Sequence, residues 1–192
     1  MNKVYFTSLE SDFAKALAEC FSQNGFEVTT ETGVNIEYFI DTTDYHSPLD
    51  EKKLGEGISP EAGRECYIKN VCEPLDALDR CLYYMVGKKR ICFLSSKASS
   101  ISLSEETTGF AHHMSKAALH NILTITKNGL IERGFTFRLF DPLTGEYPAD
   151  KAAKSAFVYF TRDRYFDNDA DKTREDERNL ILRDAKGREI PW

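Results

Sequence analysis

The stretch "KVYFTSLESDFAKALAECFSQNGFEVTTE", residues 3–31, carries two different periodicities in one run. "KVYFT" is rich in aromatic and β-branched side chains, the composition of a buried strand. In the following "SLESDFAKALAECFSQNG", Phe13, Leu17 and Phe21 recur one helical turn apart, giving an apolar stripe that Gly25 closes. "FEVTTE" is a second β-rich run. The order strand, helix, strand therefore sets an α/β reading for the start of the chain.

The same alternation continues outward. "NIEYFIDTTD" follows the second strand too closely for a helix to intervene, and "HSPLDEKKLGEGISPEAG" is polar and turn-rich. Pro60 is placed to open a helix running to about Met85, after which "RICFLSS" is a buried strand. A further helix is expected from about Phe110 to Asn128, ending at Gly129. It leads into "GFTFRLFDP", a strand stopped at Pro142. "DKAAKSAFVYFTR" reads as a helix, and "NLILRD" as a last strand with a turn at "AKG". The expectation is a single domain, 1–192, with a doubly wound, mainly parallel sheet of about six strands and helices on both faces.

The totals narrow the function classes. A hydrophobic share of 41% with 29% charged residues suits a water-soluble globular domain, and a net charge of -6 argues against nucleic acid or anionic lipid as partner. "MNKVYFTSLESD" lacks the apolar core of a secretory signal and no apolar run is long enough for a membrane span, so a cytoplasmic location is expected. Five cysteines, Cys20, Cys66, Cys72, Cys81 and Cys92, form no Cys-x-x-Cys pair and read as reduced, mostly buried thiols; with His113 and His120 lacking carboxylate or cysteine support, no metal site is expected. Asp167, Asp169 and Asp171 have calcium-loop spacing, but Lys172 and Arg178 stand where that loop needs glycine and glutamate; a solvated loop is expected there.

Several segments, taken in order, resemble the short-chain dehydrogenase/reductase family. "YIKNVCEPLDAL" is similar to the helix that carries the family's active-site asparagine, "KKRICFLSSKAS" to the strand of its serine, and "MSKAALHN" to the segment around its lysine. "FTFRLFDPL" and "LILRDAKG" resemble the strands that follow. The resemblance spans nearly the whole chain and implies a reduced Rossmann-like fold. It also implies catalytic positions at Asn70, Ser96 and Lys116, with His112 where the family has tyrosine. In the family the tyrosine exchanges a proton with the substrate oxygen, while the lysine lowers its pKa and holds the cofactor ribose. His112 lies one turn before Lys116, on the same helical face. It reads either as a substitute acid or base or as a histidine in a disused pocket. Ser99 is an alternative to Ser96, because the loop to His112 is longer than usual. Pro74 has no N–H to give the carbonyl of Asn70, which leaves that carbonyl open to a water or simply kinks a packed helix.

The cofactor side departs further. In "TSLESDFA", Ser8, Asp12 and Ala14 stand at the three glycine positions of the family's dinucleotide turn. Glu10 and Asp12 bring carboxylates to the helix N-terminus, where Thr7 and Glu10 have capping-box spacing. Two unit charges about 4 Å apart interact by roughly 4 kcal/mol at an effective dielectric of about 20, enough to weaken a micromolar phosphate ligand to millimolar. Only Glu31 remains as a ribose contact, the adenine-walling helix, strand and helix are missing, and Leu143 replaces the glycine after Pro142. "DTTD", Asp41 to Asp44, stands where the family has Asn-Asn-Ala-Gly. The expectation is a degenerate member, without cofactor in the usual pose, acting as a homodimer or hetero-oligomer through the helices of Asn70 and Lys116. The alternative is an NAD or NADP oxidoreductase using His112; a small-molecule sensor is a third possibility.

Overall fold

The structure, a computed structural model, describes residues 2–162 and 179–192. The acidic positions Asp167, Asp169 and Asp171 lie outside the described residues. Strand β1 (Lys3–Phe6) leads to helix α1 (Asp12–Gln23), β2 (Glu27–Thr29) and β3 (Ile36–Asp41). Helices α2 (Pro60–Tyr67) and α3 (Glu73–Leu82) precede β4 (Met85–Leu94). Then come α4 (Phe110–Leu130), β5 (Thr136–Asp141), α5 (Ala149–Thr161), β6 (Leu182–Asp184) and β7 (Glu189–Ile190). The sheet order is β2-β1-β3-β4-β5-β6-β7. Every pairing is parallel except the last, where β7 folds back on β6 around the expected turn at Ala185–Gly187. The six parallel strands are those read from the sequence, and the seventh is a two-residue addition.

Alternate residues of the strands feed two cores. Tyr5, Phe39, Ile91, Phe93 and Leu139 pack under α3 and α4, while Val4, Phe6, Ile40, Cys92 and Phe140 pack under α1 and α5. Because both faces are covered, the strands are apolar on both sides, as parallel strands require. Cys66, Cys81 and Cys92 are buried and all five cysteines are free; burial pushes the Cys92 thiol up to about 12. Cys20 is half-buried and Cys72 is exposed.

Three boundaries differ from the sequence reading. The N-cap of α1 is Ser11, whose hydroxyl accepts from Ala14 N–H at 3.1 Å, and not the Thr7/Glu10 capping box. Thr7 instead donates its hydroxyl to Asp41 at 2.8 Å, because the buried carboxylate competes for it. Helix α4 runs through Gly129, whose space is open, and the chain stops only at Gly134 in the left-handed conformation that glycine tolerates. The helix expected to run on to Met85 is interrupted by a π-helical turn at Ile68–Cys72, where Glu73 N–H reaches back five residues to the Ile68 carbonyl. That turn sits directly before Pro74, which supplies no N–H of its own. Met85 itself already pairs with Ile36 in the sheet, and the register then shifts by an irregularity before Arg90 pairs with Tyr38.

Candidate functional site

The site assembles at the carboxyl ends of β1, β3, β4 and β5, where the strand order reverses between β1 and β3 and open α/β sheets place their ligands. Helix α4 delivers His112 and Lys116. Its N-terminus is fixed from a distant loop: Ala111 N–H and His112 N–H each donate to the Asp50 carboxylate at 2.9 Å. Gly109 N–H donates to the Asp50 carbonyl, also at 2.9 Å, with Gly109 in the left-handed conformation.

Asp44, just beyond β3, organises the centre. Lys116 is 0% exposed. Its ammonium lies 3.1 Å from Asp44 Oδ1 and donates to the Thr43 carbonyl at 3.0 Å. His112 Nε2 lies 3.0 Å from the same Oδ1, and the exposed His46 stacks on His112 with ring centroids 3.7 Å apart. Burial alone would raise the Asp44 carboxyl, but the Lys116 ammonium and hydrogen bonds from His112 and His46 hold it well below the usual range. Burial lowers the His112 pKa against the opposing pull of Asp44. A neutral His112 facing an ionised carboxylate carries its proton on Nε2 and donates it to Asp44. That proton is therefore engaged.

Asn70 is also fully engaged through its side chain. Its Oδ1 accepts from Tyr45 N–H at 2.8 Å, and its Nδ2 donates at 2.9 Å to both the Tyr45 carbonyl and Ser115 Oγ. This clamps the segment after Asp44 against α4. Ser96 opens onto a cleft of about 640 Å³ that it shares with Asp44, His46, His112 and Asp141. Ser99 is buried and donates its hydroxyl to the Ser96 carbonyl at 2.8 Å, so Ser96 is the serine that faces the cleft. Burial raises Asp141 to about 6, against N–H bonds from Leu143 and Lys97 and with help from the charges of Asp44 and Asp184.

A second cleft, about 620 Å³, lies on the β1 side and is lined by Thr7, Ser8, Glu10, Thr42 and Asp44, among others. Ser8 is turned inward on itself, its Oγ accepting from Glu10 N–H at 3.2 Å. Asp12 is exposed at the first turn of α1, where solvent screens its charge, and Ala14 is fully buried. Glu31 is exposed beyond β2, and Pro142 is buried after β5. Leu143 keeps a left-handed backbone, φ 53°, at the position where the resemblance implies glycine. Asp41 is wholly buried and burial raises its pKa; its Oδ2 has no partner among the described residues. Lys69 and Arg80 line this cleft too, but pair with Glu73 and Asp76 at 2.8 and 2.9 Å. Asp44 thus walls both clefts.

His46, Asp50 and Ser95, the partner of buried His120 at 2.7 Å, escaped the sequence reading. His46 alone left a signal, two residues past the end of "DTTD".

No family sequence model matches the chain, and no curated protein matches it in sequence. Its backbone does match solved structures. A protein named as a short-chain dehydrogenase/reductase from Burkholderia multivorans with bound NADP superposes with a TM-score of 0.78 at 13% identity, over 100% of this chain and 99% of that one. The chain has the short-chain dehydrogenase/reductase fold. A carbonyl reductase from Pseudomonas aeruginosa in complex with NADP gives 0.74 at 16% identity, covering 100% of both chains. The NADPH-bound carbonyl reductase from chicken fatty liver gives 0.67 at 14% identity, over 99% of this chain and 87% of that one. Among the described residues no helix is long and apolar enough to cross a membrane.

Proposed function

We propose that this chain is a short-chain dehydrogenase/reductase-fold protein whose dinucleotide path is closed by Asp44, and that it works through association with a second copy or with an intact relative of the same fold. The observation that carries this reading is that Asp44 lines both clefts while holding Lys116. A dinucleotide lying as the resemblance implies would run from one cleft to the other across residue 44, with its ribose on the lysine. Here the lysine is buried and ion-paired with Asp44, the turn after β1 has no glycines, and Glu10 lines the phosphate end. These residues do not fit NAD or NADP in that pose.

Association is supported by an apolar groove of about 600 Å³ between α2 and α4, lined by Ile58, Tyr67, Ile68, Phe110 and Met114. Contiguous exposed apolar surface of this kind marks an interaction face. The second reading, an NAD(P)-dependent oxidoreductase using His112, draws support from the NADP carried by structural neighbours and from Ser96 and His112 sharing one cleft.

Titration of the purified protein with NADPH, read by nicotinamide fluorescence or heat, separates the two. The first reading expects no binding in the micromolar range, and micromolar binding favours the second. In that event turnover unchanged in a His112→Phe variant would take His112 out of the chemistry.

A further inference from the structure

We propose that Asp44, His46 and His112 form a binding site for a divalent transition-metal ion of the zinc type, on the wall of the cleft that holds Ser96 and Asp141. Among the described residues these are the one group of three His, Cys, Asp or Glu side chains whose ligand atoms all lie within 4.8 Å of one another. The inference does not rest on the reading above, since its readout is ion binding and not a nucleotide.

The distances suit an ion. Zinc bonds to imidazole nitrogen and carboxylate oxygen are about 2.1 Å, so two ligands of a tetrahedral ion stand about 3.4 Å apart. The separations of 3.0 Å between His112 Nε2 and Asp44 Oδ1, and 3.6 Å between His46 Nε2 and Asp44 Oδ2, bracket that value. Two imidazoles and one carboxylate are a ligand set that zinc accepts, and three protein ligands leave a fourth position open for water or a substrate oxygen. All three ligands line the cleft of Ser96 and Asp141, so an ion they hold would sit on its wall.

Coordination requires two local changes. His112 moves its proton from Nε2 to Nδ1, and the ion takes the place of the hydrogen bond to Asp44. The stacked rings are only 21° from parallel with centroids 3.7 Å apart, so their nitrogen lone pairs lie in separate, near-parallel planes; His46, with its side chain 62% exposed, must turn for the two to meet at one ion. An exposed imidazole does so at little packing cost. Lys116, 3.1 Å from Asp44 Oδ1, opposes the incoming charge. Asp44 itself and the carboxylates of Asp141 and Glu106, which line the same cleft, offset that repulsion.

The test is a titration of chelator-treated protein with zinc against a chromogenic competitor, and with cobalt(II) followed by its visible absorption. One equivalent is expected at micromolar affinity or tighter, with an intense tetrahedral or five-coordinate cobalt spectrum. His46→Ala, a change at an exposed position, should weaken zinc by about tenfold or more, at least the effect of losing a partner that only orients a ligand. His113→Ala, which touches Glu106 and not Asp44, should bind as the parent does. Absence of stoichiometric zinc binding, or equal affinity in His46→Ala, would overturn the assignment.

Discussion

Asp44 and Lys116 depend on each other because neither is at ease alone. Lys116 has no exposed surface, and Asp44 stays ionised because that ammonium, together with the hydrogen bonds from His112 and His46, outweighs the cost of its own burial. Removing one partner strands a buried charge, which typically costs about 3–5 kcal/mol, whereas removing both is close to neutral. Asp44→Asn alone should therefore lower the urea-unfolding stability by about 3 kcal/mol, and the double variant Asp44→Asn, Lys116→Met should recover most of it. Equal losses in the two variants would mean the pair is not a unit. A second residue-scale expectation concerns His120, buried against Ser95 and lowered by burial to about 4. Its folded pKa lies below the ordinary 6.5, so the unfolded chain binds the extra proton first as pH falls. The stability that His120 contributes is whole above about pH 6.5 and is lost as pH falls to 4, by up to about 3 kcal/mol. Unfolding curves of the protein and of His120→Gln at pH 7 and pH 4 should show that difference; parallel curves would contradict it.

At the scale of elements, α4 is held at its start by a side chain sixty-one residues away, Asp50. Asp50→Ala removes the acceptor of two helix N–H groups and should cost about 1–2 kcal/mol in thermal or chemical unfolding, while Asp50→Asn should cost less. This cap shows why part of the site was hidden in the sequence. Phe13, Leu17 and Phe21 announce α1 because a helix face is written in neighbouring residues, and the β-rich runs announce the strands in the same local way. The cap on α4, the clamp from Asn70 to Tyr45 and the pair of Asp44 with Lys116 join residues far apart in the chain, where no periodicity marks them. The positions of Ser96, His112 and Lys116 were legible through the resemblance, but the acid that pairs with His112 and Lys116 was read only as part of "DTTD". Boundaries failed where geometry overrode composition, as at Gly129, which α4 crosses because nothing requires a left-handed turn there.

At the scale of the whole molecule, the sheet is covered by α1 and α5 on one side and by α3 and α4 on the other, yet the outer face formed by the π-helical turn after α2 and by α4 keeps Ile68, Met114 and Ile125 exposed. The proposed association uses that face. Light scattering after size exclusion should give a dimer or larger assembly at tens of micromolar, and Met114→Glu should shift it toward monomer without loss of folded signal. A strict monomer would remove this part of the account. The central claim is that Asp44 blocks the path between the two clefts, and the most direct measurement is NADPH titration of the protein beside Asp44→Gly. The account expects no micromolar binding by the parent chain and binding at least about tenfold tighter once the carboxylate is removed, a change of about 1.4 kcal/mol. Micromolar binding by the parent chain, unchanged in Asp44→Gly, would contradict it.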